Sequence, residues 1–440
     1  MVTQLTQLLP FRNQQRTLVV VLAAGLLYSV SLVTHADVDL ALEQSQNRER
    51  DNLNQLVLAL RNSANVGGST TTLLDQLQNS GNPDSTLVAL RSLLPAQYAT
   101  HLQRQNVTQH YPRRHRARQT GSSTLPRAVN TSLNRGTSHT REDKHTHGRI
   151  HSGGRALSDW WVSGWHTDTE QQADRALDAY EASEQGIATG LEFTGSSPLA
   201  WGVFLRMSNA NIDAGQNGKD TIDNLEAGLS LSWHTGRHLL FSQFAYGEQD
   251  TRRTRPLLVP GMMPGDVPML LRSDINSDQL SISAGYAFDI SNTAPAGLNW
   301  SLSPSISVTY TQLSTDDYLE RATDTLALEV ATDKTTQTLL DLGLQYSVMW
   351  FAGDWLVLPY VSATWSHEFS PEPISTTASF GDRRFVFDTE GYEIDENQLR
   401  YGLGINLMSQ SNVTIGLAWT TMQQDDFELN SFDLELNIPL

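Results

Sequence analysis

From 396 to 408 the chain reads ENQLRYGLGINLM, with Leu399, Tyr401, Leu403, Ile405 and Leu407 on one face of an extended segment and Arg400, Gly402, Gly404 and Asn406 on the other. A period of two predicts a strand with one apolar face. The pattern recurs at 199–208, 225–233, 280–290, 300–310 and 340–350, and residues 187–193, 355–369 and 413–421 follow it. Adding 160–168, 238–248 and 427–438, where the alternation is weaker or slips, gives twelve strands. An even number suits a single-chain barrel of the outer-membrane type.

The connections alternate in length. Long loops are predicted near 169–184, 210–221, 250–275, 316–334 and 370–394, and short turns at 195–198, 235–237, 292–297, 352–354 and 409–411. Strands eleven and twelve are joined only by 424–426. Up-and-down membrane barrels have this asymmetry, with short turns on the periplasmic side and long loops outside. Tryptophan gives an independent test. Trp201, Trp233, Trp300, Trp350 and Trp355 fall at strand ends beside short turns, and Trp365 follows Trp355 at the opposite end of one strand. These six residues are the expected aromatic girdle. A soluble sandwich or lipocalin-like barrel also alternates, but would sort neither its tryptophans by depth nor its loops by side. The final strand carries Phe432, Leu434, Leu436, Ile438 and Leu440 on one face up to the last residue, although Leu440 is not aromatic and Pro439 stands beside it.

The front of the chain is built differently. Arg12 and Arg16 precede an uncharged apolar run over 17–33, and Thr34-His35-Ala36 offers small residues to a signal peptidase. Residues 1–36 are read as a secretory signal, an uncleaved anchor being the alternative. Leucines at three- and four-residue spacing over 38–61, 70–78 and 84–104 predict short amphipathic helices, so 37–105 is a helical spacer or short passenger. Residues 106–157 form a basic His/Arg-rich linker, expected to be disordered and to lie in the lumen if it is a plug. The barrel is assigned to 158–440.

Composition sharpens this division. The 440 residues carry 48 acidic and 30 basic side chains, a net charge of −18 that disfavours nucleic acid. Residues 37–157 hold 15 Lys and Arg against 9 Asp and Glu, whereas 158–440 hold 13 against 39. All ten tryptophans lie at or after Trp160. The absence of cysteine excludes disulfides, a thiol nucleophile and Cys-ligated metal. No hydrolase, zincin or phosphate-loop motif is present, so no catalytic, cofactor or metal residue is assigned. The cluster His139, His145, His147 and His151 suits a divalent metal, but a solvated linker is the plainer reading. The arginines at 113–118 suit lipid phosphates or lumen acids. Glu192, Arg206, Asp341 and Arg400 are expected to face the lumen.

Residues 158–440 resemble the translocator β-domain of bacterial autotransporters, the type V secretion family. The resemblance rests on WWVSGWH (160–166), GIATGLEF with LAWGVFLRMSNANID (186–213), FAYGEQDTRR (244–253), SPSISVTYTQLSTDDYLE (303–320) and WSHEF (365–369). It implies a 12-stranded antiparallel transmembrane β-barrel in the outer membrane of a Gram-negative bacterium, exporting or anchoring its own N-terminal segment. The C-terminal strand is similar to the signal read by the barrel-assembly machinery. Lipid or lipopolysaccharide and periplasmic chaperones are the other implied partners, and the barrel is expected to be monomeric. With about 120 residues between signal and barrel, the passenger would be very short. The alternative is a pore without a passenger, plugged by the basic segment.

Overall fold

The computed structural model describes residues 51–53, 55, 56, 58–60, 62, 73, 92–95 and, with gaps at loop tips (174–178, 195–197, 216–217, 258–268, 293–298, 322–326, 333, 370, 372–374, 381–385, 392–394 and 425), 157–440. All of them except residue 51 belong to one compact unit, Asn52–Leu440. The predicted signal, the basic linker and the histidine cluster lie outside the described residues.

Twelve antiparallel strands close on themselves: β1 (Leu157–Gln171), β2 (Tyr180–Thr194), β3 (Leu199–Asp213), β4 (Lys219–Thr235), β5 (His238–Leu257), β6 (Met269–Phe288), β7 (Asn299–Thr315), β8 (Thr335–Ala352), β9 (Trp355–Glu368), β10 (Asn397–Ser409), β11 (Thr414–Gln423) and β12 (Phe427–Pro439). Each pairs with its neighbours in sequence, and β1 closes on β12 over Asp159↔Pro439 to Gln171↔Phe427. The expected alternation of connections is observed. At one end, the turn end, two-residue turns place Gly236 (φ 59°) and Gly353 (φ 62°) at their first position, the glycine-first pattern of a II′ hairpin. Leu157, where β1 begins, pairs with Thr194 at this same end.

Two prolines stand inside strands beside it, and each coincides with a ladder gap. The β6–β7 ladder stops at Ala287↔Ser305 and resumes in register at Ile290↔Leu302, so Pro304 falls in the break. Pro359 falls in the break between Ser347↔Tyr360 and Trp350↔Val357. A residue with no N–H is tolerated there because the pairing has already lapsed near the rim.

The inner wall is locked by aromatic rings over glycines. Trp161 and Trp165 of β1 lie against Gly190 and Gly186 of β2, Phe204 against Gly228, Phe241 against Gly285, and Tyr360 against Gly404. In each pair the two residues face one another across adjacent strands. The ring occupies the space a Cβ would need, so glycine here is a packing requirement.

The loop end departs from the sequence reading. Much of the supposed loops at 210–221 and 250–275 is strand. Both β5 and β6 run for 20 residues, about 66 Å of chain at 3.3 Å per residue and about 50 Å along the axis at a tilt of roughly 40°. They therefore rise well beyond an apolar band of about 25 Å. The segments 316–334 and 370–394 contribute a second sheet, ordered Val386–Glu390, Ser375–Phe380, Leu328–Thr332 and Tyr318–Leu319. Reciprocal bonds between Arg272 and Arg321 backbones (2.7 and 3.3 Å) tie it to β6. The outward face of both long strands turns largely polar here, so that their composition resembles that of loops. On β6, Leu280 and Ile282 point outward while Ser277, Gln279, Ser281 and Ser283 point inward; beyond Asn276 the outward positions become Asp274 and Arg272, and Ile275 and Leu271 turn in.

That inward apolar surface is covered by the front of the chain. Helical residues within 51–62 present Leu56, Ala59 and Leu60, and with Leu73 and Leu93 these pack on Leu257, Leu271, Ile275, Leu328, Val330, Phe380 and Phe387. Leu56, Leu60, Leu73 and Leu93 are fully buried, each burial contributing about 1.5–3 kcal/mol before ordering entropy. Beside them, Arg253 forks onto Asp220 (2.8 and 3.0 Å) and donates to Tyr318 Oη (3.0 Å). Burial works against the Arg253 charge, but Asp220 reverses this and holds the guanidinium's pKa above its usual value.

Replacing Gly186 by valine is expected to displace Trp165 and to lower stability by about 1–3 kcal/mol. In a temperature ramp followed by semi-native electrophoresis, the compact band of Gly186→Val should be lost at lower temperature than that of the native chain. Gly164→Ala, whose new methyl would sit 3.7 Å from a carbonyl oxygen, should leave the ramp unchanged.

The side chains of Arg253 and Asp220 are 5% and 2% exposed, so Asp220→Asn strands a buried cation and should cost about 3–5 kcal/mol at the loop end. Limited proteolysis of the loop end should accelerate more in this variant than in the double replacement Asp220→Leu with Arg253→Met. Equal rates would contradict the assignment.

Candidate functional site

The lumen and the outward band are the two surfaces on which this barrel can act. Strand alternation puts serine, threonine and glutamine on the inner wall: Ser281 and Ser283 on β6, Ser307, Thr309 and Thr311 on β7, Gln345 and Ser347 on β8, and Thr364 and Ser366 on β9. These short polar side chains line the inner wall with hydrogen-bonding groups. A wall of this kind favours water or an extended peptide over hydrocarbon.

Charged residues are few and held. Asp341 accepts hydrogen bonds from Ser366 Oγ (2.5 Å) and Ser307 Oγ (3.2 Å), which fixes its carboxylate across three strands. Arg206 lies 3.5 Å from Glu184 and stacks over the Trp165 ring at 4.8 Å, and Trp165 Nε1 donates to the same carboxylate (3.4 Å). Both Arg206 and Arg400 are buried on the inner face, as is Asp341, in agreement with the pattern read from the sequence. Among the described residues no group of three or more His, Asp or Glu is arranged to hold a metal ion.

Sequence reasoning missed the inward tryptophans. In WWVSGWH it is Trp160 that points outward, donating to Thr189 Oγ1 at 3.0 Å, whereas Trp161 and Trp165 are buried inside. Their signal is the spacing Gly186 to Gly190 on the next strand, four residues apart like the two rings, which becomes legible once the β1–β2 register is known.

The outer face carries the remaining candidates. Trp201, Trp233, Trp350, Trp355 and Trp365 are all more than a third exposed, and Trp300 shares the outward face of β7 with Ile306 and Val308. Trp201 and Trp233 stand on adjacent strands near the turn end, and Phe193 stacks on Trp201 with centroids 4.3 Å apart. Trp355 opens β9 opposite Ala352, and Trp365 lies ten residues further toward the loop end, opposite Leu342. On β12, Phe432 and Leu434 are exposed and Leu436 and Ile438 share their face, and Leu440, just past its end, is exposed as well. The band ends sharply: after Phe244 and Tyr246 the outward residues of β5 are Glu248, Asp250 and Arg252. At that edge Tyr246 Oη donates to Asp278 (2.8 Å), and Arg252 reaches Asp223 (2.7 Å). Asp223 lies just beyond the edge, and hydrogen bonds from Asn209 and Arg252 hold its carboxyl below the usual range.

Comparison with known proteins agrees with this geometry. The family model described as the autotransporter beta-domain matches residues 160–430, more than half of the chain. A search of curated proteins gave no match. The translocator domain of the autotransporter NalP from Neisseria meningitidis is similar at 11% identity over 73% of this chain and 99% of that one, with a TM-score of 0.51. The beta domain of the Bordetella autotransporter BrkA is 18% identical over 64% and 99% of the two chains (TM-score 0.46). At such identity the NalP likeness speaks to the fold alone. Barrels of this kind are transport domains rather than enzymes, and the homologues are outer-membrane proteins of Gram-negative bacteria. With the family model spanning most of a closed twelve-stranded barrel, the chain belongs to the autotransporter family through its translocator β-domain.

Proposed function

We propose that this chain inserts in the outer membrane and carries its own short N-terminal segment through the barrel to the cell surface. One observation carries the reading. Residues 56, 60, 73 and 93 are buried at the loop end, whereas β1 begins at the turn end, beside the turn between β2 and β3. In this reading the connection from residue 95 to residue 157 runs from one end of the barrel to the other. A polar backbone does not cross hydrocarbon along the outside of a barrel, and the hydroxyl-lined lumen is the water-compatible route.

The same reading assigns the outer surfaces. Trp201, Trp233, Trp300, Trp350 and Trp355 sit at headgroup depth on the periplasmic side and Trp365 at the outer side, with lipid or lipopolysaccharide between them. Phe432, Leu434, Leu436, Ile438 and Leu440 are the face offered to the barrel-assembly machinery, with chaperones holding the chain before insertion. The barrel acts as a monomer in the outer membrane, and residues 1–36 are its secretion signal.

The absence of cysteine makes the test clean. Leu58 is 55% exposed on the docked helix, and Gly236 lies in a turn at the opposite end. In whole cells an impermeant maleimide is expected to label Leu58→Cys at once and Gly236→Cys only after the outer membrane is opened. Protection of Leu58→Cys in intact cells, with labelling after lysis, would overturn surface delivery.

A further inference from the structure

We infer that the loop end of the barrel is a receptor for a leucine-patterned amphipathic segment, and that the part of the same chain bearing Asn52, Leu56, Leu60, Leu73 and Leu93 is its ligand, retained as a docked cap after export. The inference deepens the export reading, on which it rests only for the side of the membrane that the seat faces.

Three independent features select this occupant. The first is the inverted pleat. Leu257, Leu271 and Ile275 point inward where the strands have left the apolar band, and Leu328, Val330 and Phe387 of the second sheet face the same space. A wall that only guided a passing chain would continue the serine and threonine lining found below; this one offers apolar surface that water would otherwise cover.

The second feature is a backbone-like contact. The carboxamide of Asn52 accepts from the Glu390 backbone N–H (3.0 Å) and donates to the Glu390 carbonyl (2.9 Å). It thus satisfies both main-chain groups of one residue on Val386–Glu390, the edge strand of the second sheet, as a neighbouring strand would. Only a side chain with an acceptor and a donor at that spacing can do this, which fixes the position of the helix along the edge.

The third is a buried charge that reads the far end of the segment. Arg255, 2% exposed, forks onto Glu320 (2.6 and 2.9 Å) and also donates to the backbone carbonyl of Ser92. Glu320 in turn accepts from the Leu328 N–H (3.1 Å), which joins the second sheet to the same node. The seat thus grips its ligand at Asn52 and again at Ser92, with Leu56, Leu60 and Leu73 between and Leu93 next to the second grip.

Hydrogen exchange of the full chain in detergent micelles or nanodiscs tests this. Peptides covering 52–60 are expected to exchange slowly, as docked structure does. Leu56→Asp, which leaves the barrel strands untouched, should accelerate their exchange by at least about tenfold, and Asn52→Ala by less, with barrel peptides unchanged. Rapid exchange of 52–60 in the native chain, equal to that of Leu56→Asp, overturns the inference. The maleimide result separates the two proposals: slow exchange with no labelling of Leu58→Cys in cells leaves a docked segment that was not exported. Labelling with rapid exchange leaves an exported segment that is not held.

Discussion

The membrane-spanning part of this structure follows from one constraint: hydrocarbon offers no partner to a peptide N–H or C=O, so a sheet can cross a bilayer only when it closes on itself. The β1–β12 ladder, unbroken over Asp159 to Gln171, removes the two edges that twelve antiparallel strands would otherwise expose. Once closure is required, the period-two pleat divides the side chains between two solvents. The outward set becomes Leu, Val, Trp and Phe, and the inward set Ser, Thr, Gln and a few anchored charges. The two prolines obey the same rule. Each stands at a lapse of the ladder near the turn-end rim, where water supplies the bonds that proline cannot.

Where the strands leave the bilayer the constraint changes sign without any change of secondary structure. Water now lies outside, so charge moves to the outward positions, and apolar residues are stable only if they turn in. The switch on β6 takes place within a few residues of Asn276; on β5 the outward face turns charged after Tyr246, while the inward face stays polar through Gln249, Thr251, Arg253 and Arg255 as far as Leu257. An extended barrel with an apolar inner wall is stable only when it is filled, and filling requires a segment with leucines on one face. The front of the chain supplies Leu56, Leu60, Leu73 and Leu93.

This inversion also explains what could be read from sequence and what could not. The strand count and the inward positions of Arg206, Asp341 and Arg400 depend on a local period of two, which most of the strand segments display within about ten residues. The segment 269–275 has the same period in the opposite phase, while 250–257 keeps the period with polar residues on both faces as far as Leu257. Next to the apolar band their charged outward faces resemble loop composition, and only the slip of the pattern on β5 hinted at continuation. The inward course of Trp161 and Trp165 was hidden for a different reason. Residue type suggests the headgroup region, but their partners Gly190 and Gly186 lie on the next strand, so the fit depends on a register the sequence does not state. Of the helix expected over 38–61, the described residues from 51 onward are helical; the seat of Leu56 and Leu60 was not legible, because that surface is assembled from residues near 257, 271, 328 and 387 that meet only after closure.

The buried ion pairs of the loop end are best understood as specifying position rather than adding stability. Well-packed apolar side chains at Arg255 and Glu320 would be about as stable, since desolvating two charges offsets most of their attraction. An apolar contact would, however, tolerate sliding of a leucine-rich helix by one turn, because leucines recur at three- and four-residue spacing and any of several could fill the same hollow. A guanidinium fork that must satisfy Glu320 and one backbone carbonyl has no such freedom, and neither has a carboxamide that must match both main-chain groups of Glu390. Hydrophobic burial thus provides the affinity for the segment, and the polar contacts at its two ends determine which residues of the segment are held.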